Sequence, residues 1–257
     1  MTSLYFKKII NISLTAIVVA LLVPVVAFSQ EELPWKEASA SSQAYHKYRQ
    51  KSTIPPYGLA KIKKLISGIA YLENDGSDGT SSLGNKAYMA LSLREKFTYH
   101  MIHAEVSSQN CDVSPPILDE DKKIFGNLPD AFDEAAWSER QENFLVSNRD
   151  SVLALIKASV SRTNRVGLNY KAAIVQVNGK EIIPFLIETY KRDQKDYDIL
   201  TVLMLLMKKG EYKPFMTSAS FVKLYGSKST YLSFIDHNKA NEELIINRAT
   251  AFYNGLR

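Results

Sequence analysis

His100 and His103, with Glu105 close behind them, come nearer to a metal site than any other residues in this chain. On an ideal α-helix each residue turns about 100°, so imidazoles three apart project roughly 60° from one another and can reach one ion. By the same rule Glu105 stands about 160° from His103, and an intact helix cannot add it to the pair. Further ligands would have to come from the loop that follows, which offers Cys111 and Asp112. Zinc accepts such a set, and the activity implied is that of a metal-dependent hydrolase. Lys96 sits one turn before His100 and would repel a cation. The plainer reading packs His100 beside Leu93 and Phe97 and sets His103 near Tyr99 and Glu95. We prefer it, so no catalytic, cofactor or metal residue is assigned, and zinc belongs to the alternative.

A second spacing, Ser220-Phe221-Val222-Lys223, matches the S-x-x-K of penicillin-binding and serine β-lactamase-like enzymes, in which the lysine helps activate the serine. Those enzymes complete the site with Ser-Asp-Asn and Lys-Thr-Gly, and neither triplet occurs in this sequence. Thr217, Ser218 and Ser220 read better as residues that open a helix. The loop Asn74–Asn85 tempts a calcium reading, but Gly76 would fall at a ligand position and Asn85 where a bidentate Glu is required. A solvated turn accounts for it. No Gly-x-Ser-x-Gly, His-Glu-x-x-His, phosphate-binding loop or dinucleotide fingerprint is present.

The elements around these residues are helical by pattern. Leu59, Ile62, Leu65, Ile66 and Ile69 recur at helical spacing after Pro55-Pro56. One long helix is expected from Asn85 to Glu105, with Ala90, Leu93, Phe97 and Met101 inward. Asn110–Asp130 reads as a loop. Ser138 and Gln141 have capping-box spacing, and Ser147-Asn148-Arg149-Asp150 suggests a break and restart. Ile199–Met207 is apolar nearly all round and should be the buried central helix. Lys228–Arg257 reads as two helices, the last capped by Asp236. The fourteen tyrosines read chiefly as half-buried core with the hydroxyl at the rim.

The C-terminal half carries a weak internal repeat. In Gly179-Lys180-Glu181-Ile182-Ile183-Pro184-Phe185-Leu186 and Gly210-Glu211-Tyr212-Lys213-Pro214-Phe215-Met216, an apolar run ends at Gly and Pro-Phe opens the next. Gly suits the C′ position of the first helix, and Pro the first turn of the second. A β-hairpin turn at Asn178-Gly179 is the other possibility. The layout resembles HEAT-like repeats over residues 169–226. That resemblance implies stacked antiparallel helix pairs and a curved scaffold that presents a surface to a partner. The expected fold class is therefore all-α: antiparallel helix pairs stacked as an irregular bundle or short α-solenoid.

The first residues read as an address. Lys7 and Lys8 precede an apolar run from Ile9 to Ala27, which ends in Ala27-Phe28-Ser29 and the polar Gln30-Glu31-Glu32. A basic start, an apolar core and a small-residue exit are the parts of a signal peptide, here residues 1–29. Residues 30–56 follow as a flexible arm with one short helix around Gln43–Gln50, then 57–257 as one helical domain that could divide into 57–147 and 148–257. Losing 1–29 removes Lys7 and Lys8 and no acid, so the formal +5 becomes +3. That balance is too mild for nucleic-acid binding. Residues 112–142 hold nine acidic side chains, while Arg149 onward holds seventeen Lys or Arg and ten acids. We read the two stretches as compensating one another in the fold.

The expectation is an exported, periplasmic or secreted scaffold without catalysis. Its partner would be another envelope or secreted protein, and it would meet a membrane only if residues 1–29 stay attached.

Overall fold

The computed structural model describes residues 36–70, 72–73, 79–107 and 115–256. The leader 1–29, residues 74–78 of the calcium-like loop, Cys111 and Asp112 lie outside the described residues. The chain divides between Glu37 and Ala38, and the unit that begins at Ala38 is mostly helical with two small sheets.

Its first helix, α1 (Ala40–Arg49), opens at Ser39, whose hydroxyl accepts the Ser42 N–H at 3.2 Å. The short helix expected around Gln43–Gln50 is this one, begun three residues earlier. Arg49 is buried, and the Leu168 N–H bonds to Lys51 O at 3.2 Å. A polar stretch that looks solvated by composition is drawn inside by carboxylates far along the chain.

Helix α2 (Leu59–Ile66) buries Ile62 completely, as its stripe predicts. Next come strands β1 (Leu72–Glu73) and β2 (Gly79–Thr80). The long helix expected over Asn85–Glu105 is in fact two, α3 (Asn85–Met89) and α4 (Leu93–Ile102). The break falls at Ser92, which forms a full capping box with Glu95, so a new helix starts where the old one was expected to continue. Phe97 and Met101 face inward, but Leu93, at the new start, is exposed.

Strand β3 (Val106–Ser107) joins β1 and β2, and β5 (Ala135–Ala136) completes an antiparallel sheet in the order β1-β2-β3-β5. The expected loop at 110–130 contains a 3₁₀ turn, Glu120–Lys122, and β4 (Lys123–Phe125).

The capping box at Ser138 and Gln141 opens α5 (Glu139–Ser147), and α6 (Arg149–Thr163) restarts after Asn148 as expected. Then follow α7 (Leu168–Gln176), a 3₁₀ turn at Lys180–Ile182, α8 (Ile183–Asp193) and α9 (Tyr197–Lys209). Two short helices, α10 (Lys213–Met216) and α11 (Ala219–Tyr225), precede β6 (Phe234–Asp236) and α12 (Lys239–Asn254). Among the described residues, 228–256 therefore hold one helix rather than two. Asp236 lies in β6, which pairs antiparallel with β4, Ile124 opposite Ile235, and the cap of α12 is Asn238.

Helix α9 is the buried centre. It packs against α7, α8, α12 and β4, and from Asp198 to Met207 only Leu205 is not buried. The main core also takes Phe97, Ile124 and Phe144, so it crosses the boundary between 147 and 148. A smaller core joins Ile62, Leu83, Tyr88, Leu91 and Tyr99.

The repeated punctuation is real as helix endings but differs in register. Gly179 N–H bonds to Ile174 O and Asn178 N–H to Val175 O, while Tyr212 N–H bonds to Met207 O and Glu211 N–H to Lys208 O. Both are Schellman endings. The left-handed C′ residues are Asn178 (φ 50°) and Glu211 (φ 49°), not the glycines. Gly210 is required by space instead: a Cβ there would lie 2.3 Å from Phe252 Cζ. Pro184 falls in the first turn of α8 and Pro214 in that of α10, as expected, and Asn178-Gly179 makes no hairpin.

Candidate functional site

The two histidines do not share a helix face. Helix α4 ends at Ile102, and His103 is extended (φ −149°, ψ 129°). His100 is fully buried, and both of its nitrogens are engaged. Nε2 lies 3.1 Å from the Tyr88 hydroxyl, and Nδ1 lies 2.9 Å from Gln141 Nε2. The Gln141 amide is oriented by its oxygen, which accepts the N–H groups of Glu105 (3.0 Å) and Ser138 (3.2 Å). Its nitrogen therefore donates to His100 Nδ1, and the His100 proton sits on Nε2. Burial, reinforced by Arg140, Lys96 and His103, pulls this imidazole from 6.5 down to about 3. It is a neutral hydrogen-bonding residue.

His103 Nε2 faces Ser81 O at 2.5 Å, and its ring lies 5.2 Å from Tyr99. Glu105 accepts from Tyr99 (2.7 Å), Ser138 (2.5 Å) and Arg140. Among the described residues, no three His, Cys, Asp or Glu side chains stand where one ion could bind them. His100 packs against Phe144 at 4.7 Å.

The S-x-x-K pair is placed as helix start and surface. Ser218, not Ser220, is the cap of α11, accepting the Phe221 N–H at 3.2 Å. The Lys223 ammonium stands 5.5 Å from the centre of the Phe234 ring.

The densest set of ionisable groups is one that sequence reasoning missed. Arg49, at the end of α1, spreads its guanidinium between two carboxylates. Nη2 and Nε donate to the two oxygens of Asp198 at 2.9 and 3.2 Å, and Nη1 donates to Glu120 Oε1 at 2.9 Å. The same guanidinium lies 4.3 Å above the Phe125 ring. Glu120 also accepts the Ile117 N–H (3.0 Å) and faces His46 Nδ1 (2.9 Å).

One step further in, Lys171 of α7 has no exposed surface. Its ammonium is 2.5 Å from Asp196 and 3.9 Å from Asp198. Burial pushes the Asp196 carboxyl up against the opposing pull of Lys171. Asp198 stands in the first turn of α9, where the free N–H groups favour a negative charge.

Aromatic rings sheathe the cluster. Tyr45 lies 5.0 Å from Tyr197, which stacks on His237 at 3.7 Å. Burial, then Asp198, holds the Tyr45 hydroxyl well above its usual range, and burial pushes Tyr48 up to about 12. Arg165 covers the Tyr48 ring at 4.0 Å. Asn169 adds a second tie: its amide accepts the Thr53 N–H (3.0 Å) and donates to Thr53 O and Met101 O (2.8 Å each).

What this arrangement does is fasten. Two buried cations and three buried carboxylates are turned on one another across α1, the 3₁₀ turn, α7 and α9. Within the acidic middle, Glu120 answers the N-terminal helix, while β4 of the same stretch pairs with β6 of the C-terminal half. One signal was available in the sequence: Asp196 and Asp198 bracket the start of the most apolar helix, where an acid needs a partner. Comparison with known proteins found no matching family model, no matching curated protein and no matching solved structure.

Proposed function

We propose that this chain is an exported, non-catalytic helical scaffold whose partner is another envelope or secreted protein. One observation carries the reading: three buried ionisable side chains are spent on internal bonds, Arg49 on Asp198 and Glu120, Lys171 on Asp196, His100 on Gln141 and Tyr88. A catalytic site needs a nucleophile, acid or base directed at a place where substrate can lie. These groups are directed at each other.

The basic, apolar and small-residue sequence of 1–29 supports export with loss of the leader. On this reading the helices of residues 169–226 stack as antiparallel pairs in a short solenoid, and the scaffold works from the periplasm or outside the cell.

The test is expression of the full chain in a bacterium, followed by fractionation and N-terminal sequencing. Recovery from the periplasm with Gln30 as the first residue supports export, and cytoplasmic protein that keeps Met1 overturns it. Photo-crosslinking from exposed positions should then trap one defined envelope protein. Absence of any adduct, together with turnover on a hydrolase substrate panel, overturns the scaffold reading.

A further inference from the structure

Between Lys208 and Leu232 the chain carries five lysines against one acid, Glu211, and no arginine. Three of those lysines have partners within the chain: Lys208 stands 4.2 Å over the Tyr225 ring, Lys223 5.5 Å over the Phe234 ring, and Lys209 donates to Val175 O at 2.8 Å. Lys213, Lys223 and Lys228 are exposed. Beside them Val222 is 64% exposed, Tyr231 67% and Leu232 37%.

Val222, Tyr231 and Leu232 stand on adjoining elements, and the helix that carries Lys213 packs against α11. Tyr225 lies one turn after Val222 on α11, and its hydroxyl donates to Gly126 O at 2.7 Å. The Gly126 N–H bonds to Ser233 O at 2.9 Å, next to Leu232, and the Asn127 side chain donates to Tyr231 O at 3.3 Å. Helix α11 and the Tyr231–Leu232 turn are thus held side by side against the end of β4.

Scattered exposed apolar residues are ordinary, but apolar tips set among unopposed cations are a combination with its own chemistry. Lysine is a hydrated point charge that suits a diffuse anionic surface, whereas discrete two-point phosphate recognition favours arginine, which this edge lacks. A phosphate polymer in water gives Val222 and Leu232 nothing. The boundary between lipid headgroups and acyl chains rewards both them and the amphipathic ring of Tyr231.

We propose that this edge docks on an anionic lipid surface, with Lys213, Lys223 and Lys228 over the headgroups and Val222, Tyr231 and Leu232 at the acyl boundary. The assignment goes beyond the scaffold reading; residues 1–29, themselves basic and apolar, add the same vesicle binding to every chain compared, so the lysine substitutions and the exchange of residues 219–232 carry the test.

The full chain is sedimented with vesicles of phosphatidylcholine alone and of phosphatidylcholine mixed with phosphatidylglycerol. Partition should rise with phosphatidylglycerol and fall with salt. It should drop about fivefold for each of Lys213→Ser and Lys228→Ser, at the usual contribution of one lysine near such a surface. Tyr231→Trp should emit further to the blue on the anionic vesicles. Hydrogen exchange of the unaltered chain needs no variant, and the amides of residues 219–232 should slow on the same vesicles. Partition that ignores both the lipid charge and the two lysines overturns the proposal, and so does exchange that the vesicles leave unchanged. Tighter binding to a DNA duplex than to vesicles, lost on the same substitutions, also overturns it and assigns the edge to a phosphate polymer.

Discussion

The Arg49 guanidinium and the Asp198 carboxylate meet fork to fork, at 2.9 and 3.2 Å, across a sequence separation of 149 residues. Both side chains are almost wholly buried. Taking such a pair out of water costs several kcal/mol per ion, which mutual attraction and added hydrogen bonds offset. The pair is better understood as specifying where α1 sits than as a large net source of stability.

Removing one partner is a different matter. Arg49→Met leaves Asp198 and Glu120 buried without their cation, and we expect a loss of about 3–5 kcal/mol. The urea midpoint of the variant measures it. A midpoint equal to that of the unaltered chain would show that the network is solvated in solution.

His100 gives the fold an acid-sensitive component. Its folded-state value of about 3 lies below the ordinary 6.5, so between those pH values the unfolded chain binds a proton that the folded chain refuses. The contribution is therefore intact above pH 6.5 and is lost as pH falls toward 3, at up to about 1.4 kcal/mol per pH unit. Stability measured at about pH 7 and about pH 5, on either side of the ordinary imidazole value, should differ less in His100→Gln than in the unaltered chain. An identical difference in both would refute the assignment.

The two glycines Gly210 and Gly84 should respond unequally to alanine. A Cβ at Gly210 meets Phe252 Cζ at 2.3 Å, whereas one at Gly84 meets nothing within 4 Å. Gly210→Ala should cost about 1–3 kcal/mol by overpacking. Gly84→Ala should change the thermal midpoint little. Equal effects would mean that α12 does not press on the end of α9.

Ser92 is expected to matter in proportion to its cap. Its hydroxyl accepts the Glu95 N–H, and the Glu95 carboxylate accepts the Ser92 N–H in return at 2.9 Å. Ser92→Ala should destabilise by about 1 kcal/mol. Circular dichroism melts would detect this, and an unchanged melt would argue that α3 and α4 are continuous after all.

Local signals were legible in the sequence, and distant pairings were not. Ser138 with Gln141 and the break at Asn148 are decided within one turn, and the apolar surround of Ile199–Met207 announces a central helix by itself. The Ser92–Glu95 box was equally local, but the apolar stripe running through it concealed it. Nothing near Arg49 or Lys171 in the sequence announces their burial, because their carboxylates stand 149, 71 and 25 residues off along the chain. The β4–β6 ladder stayed hidden for the same reason, being three residues wide and joined over a long separation. At the candidate metal site, the spacing of His100 and His103 was read correctly, yet the helix stops between them.

The distance bridged by Arg49 also orders events in time. A ribosome releases α1 first, and no carboxylate at position 198 exists until 149 further residues have been made. Glu120 arrives after 71 further residues and can hold α1 by one arm of the guanidinium, but the fork on Asp198 closes only when α9 begins, so the seat of α1 is completed in two stages.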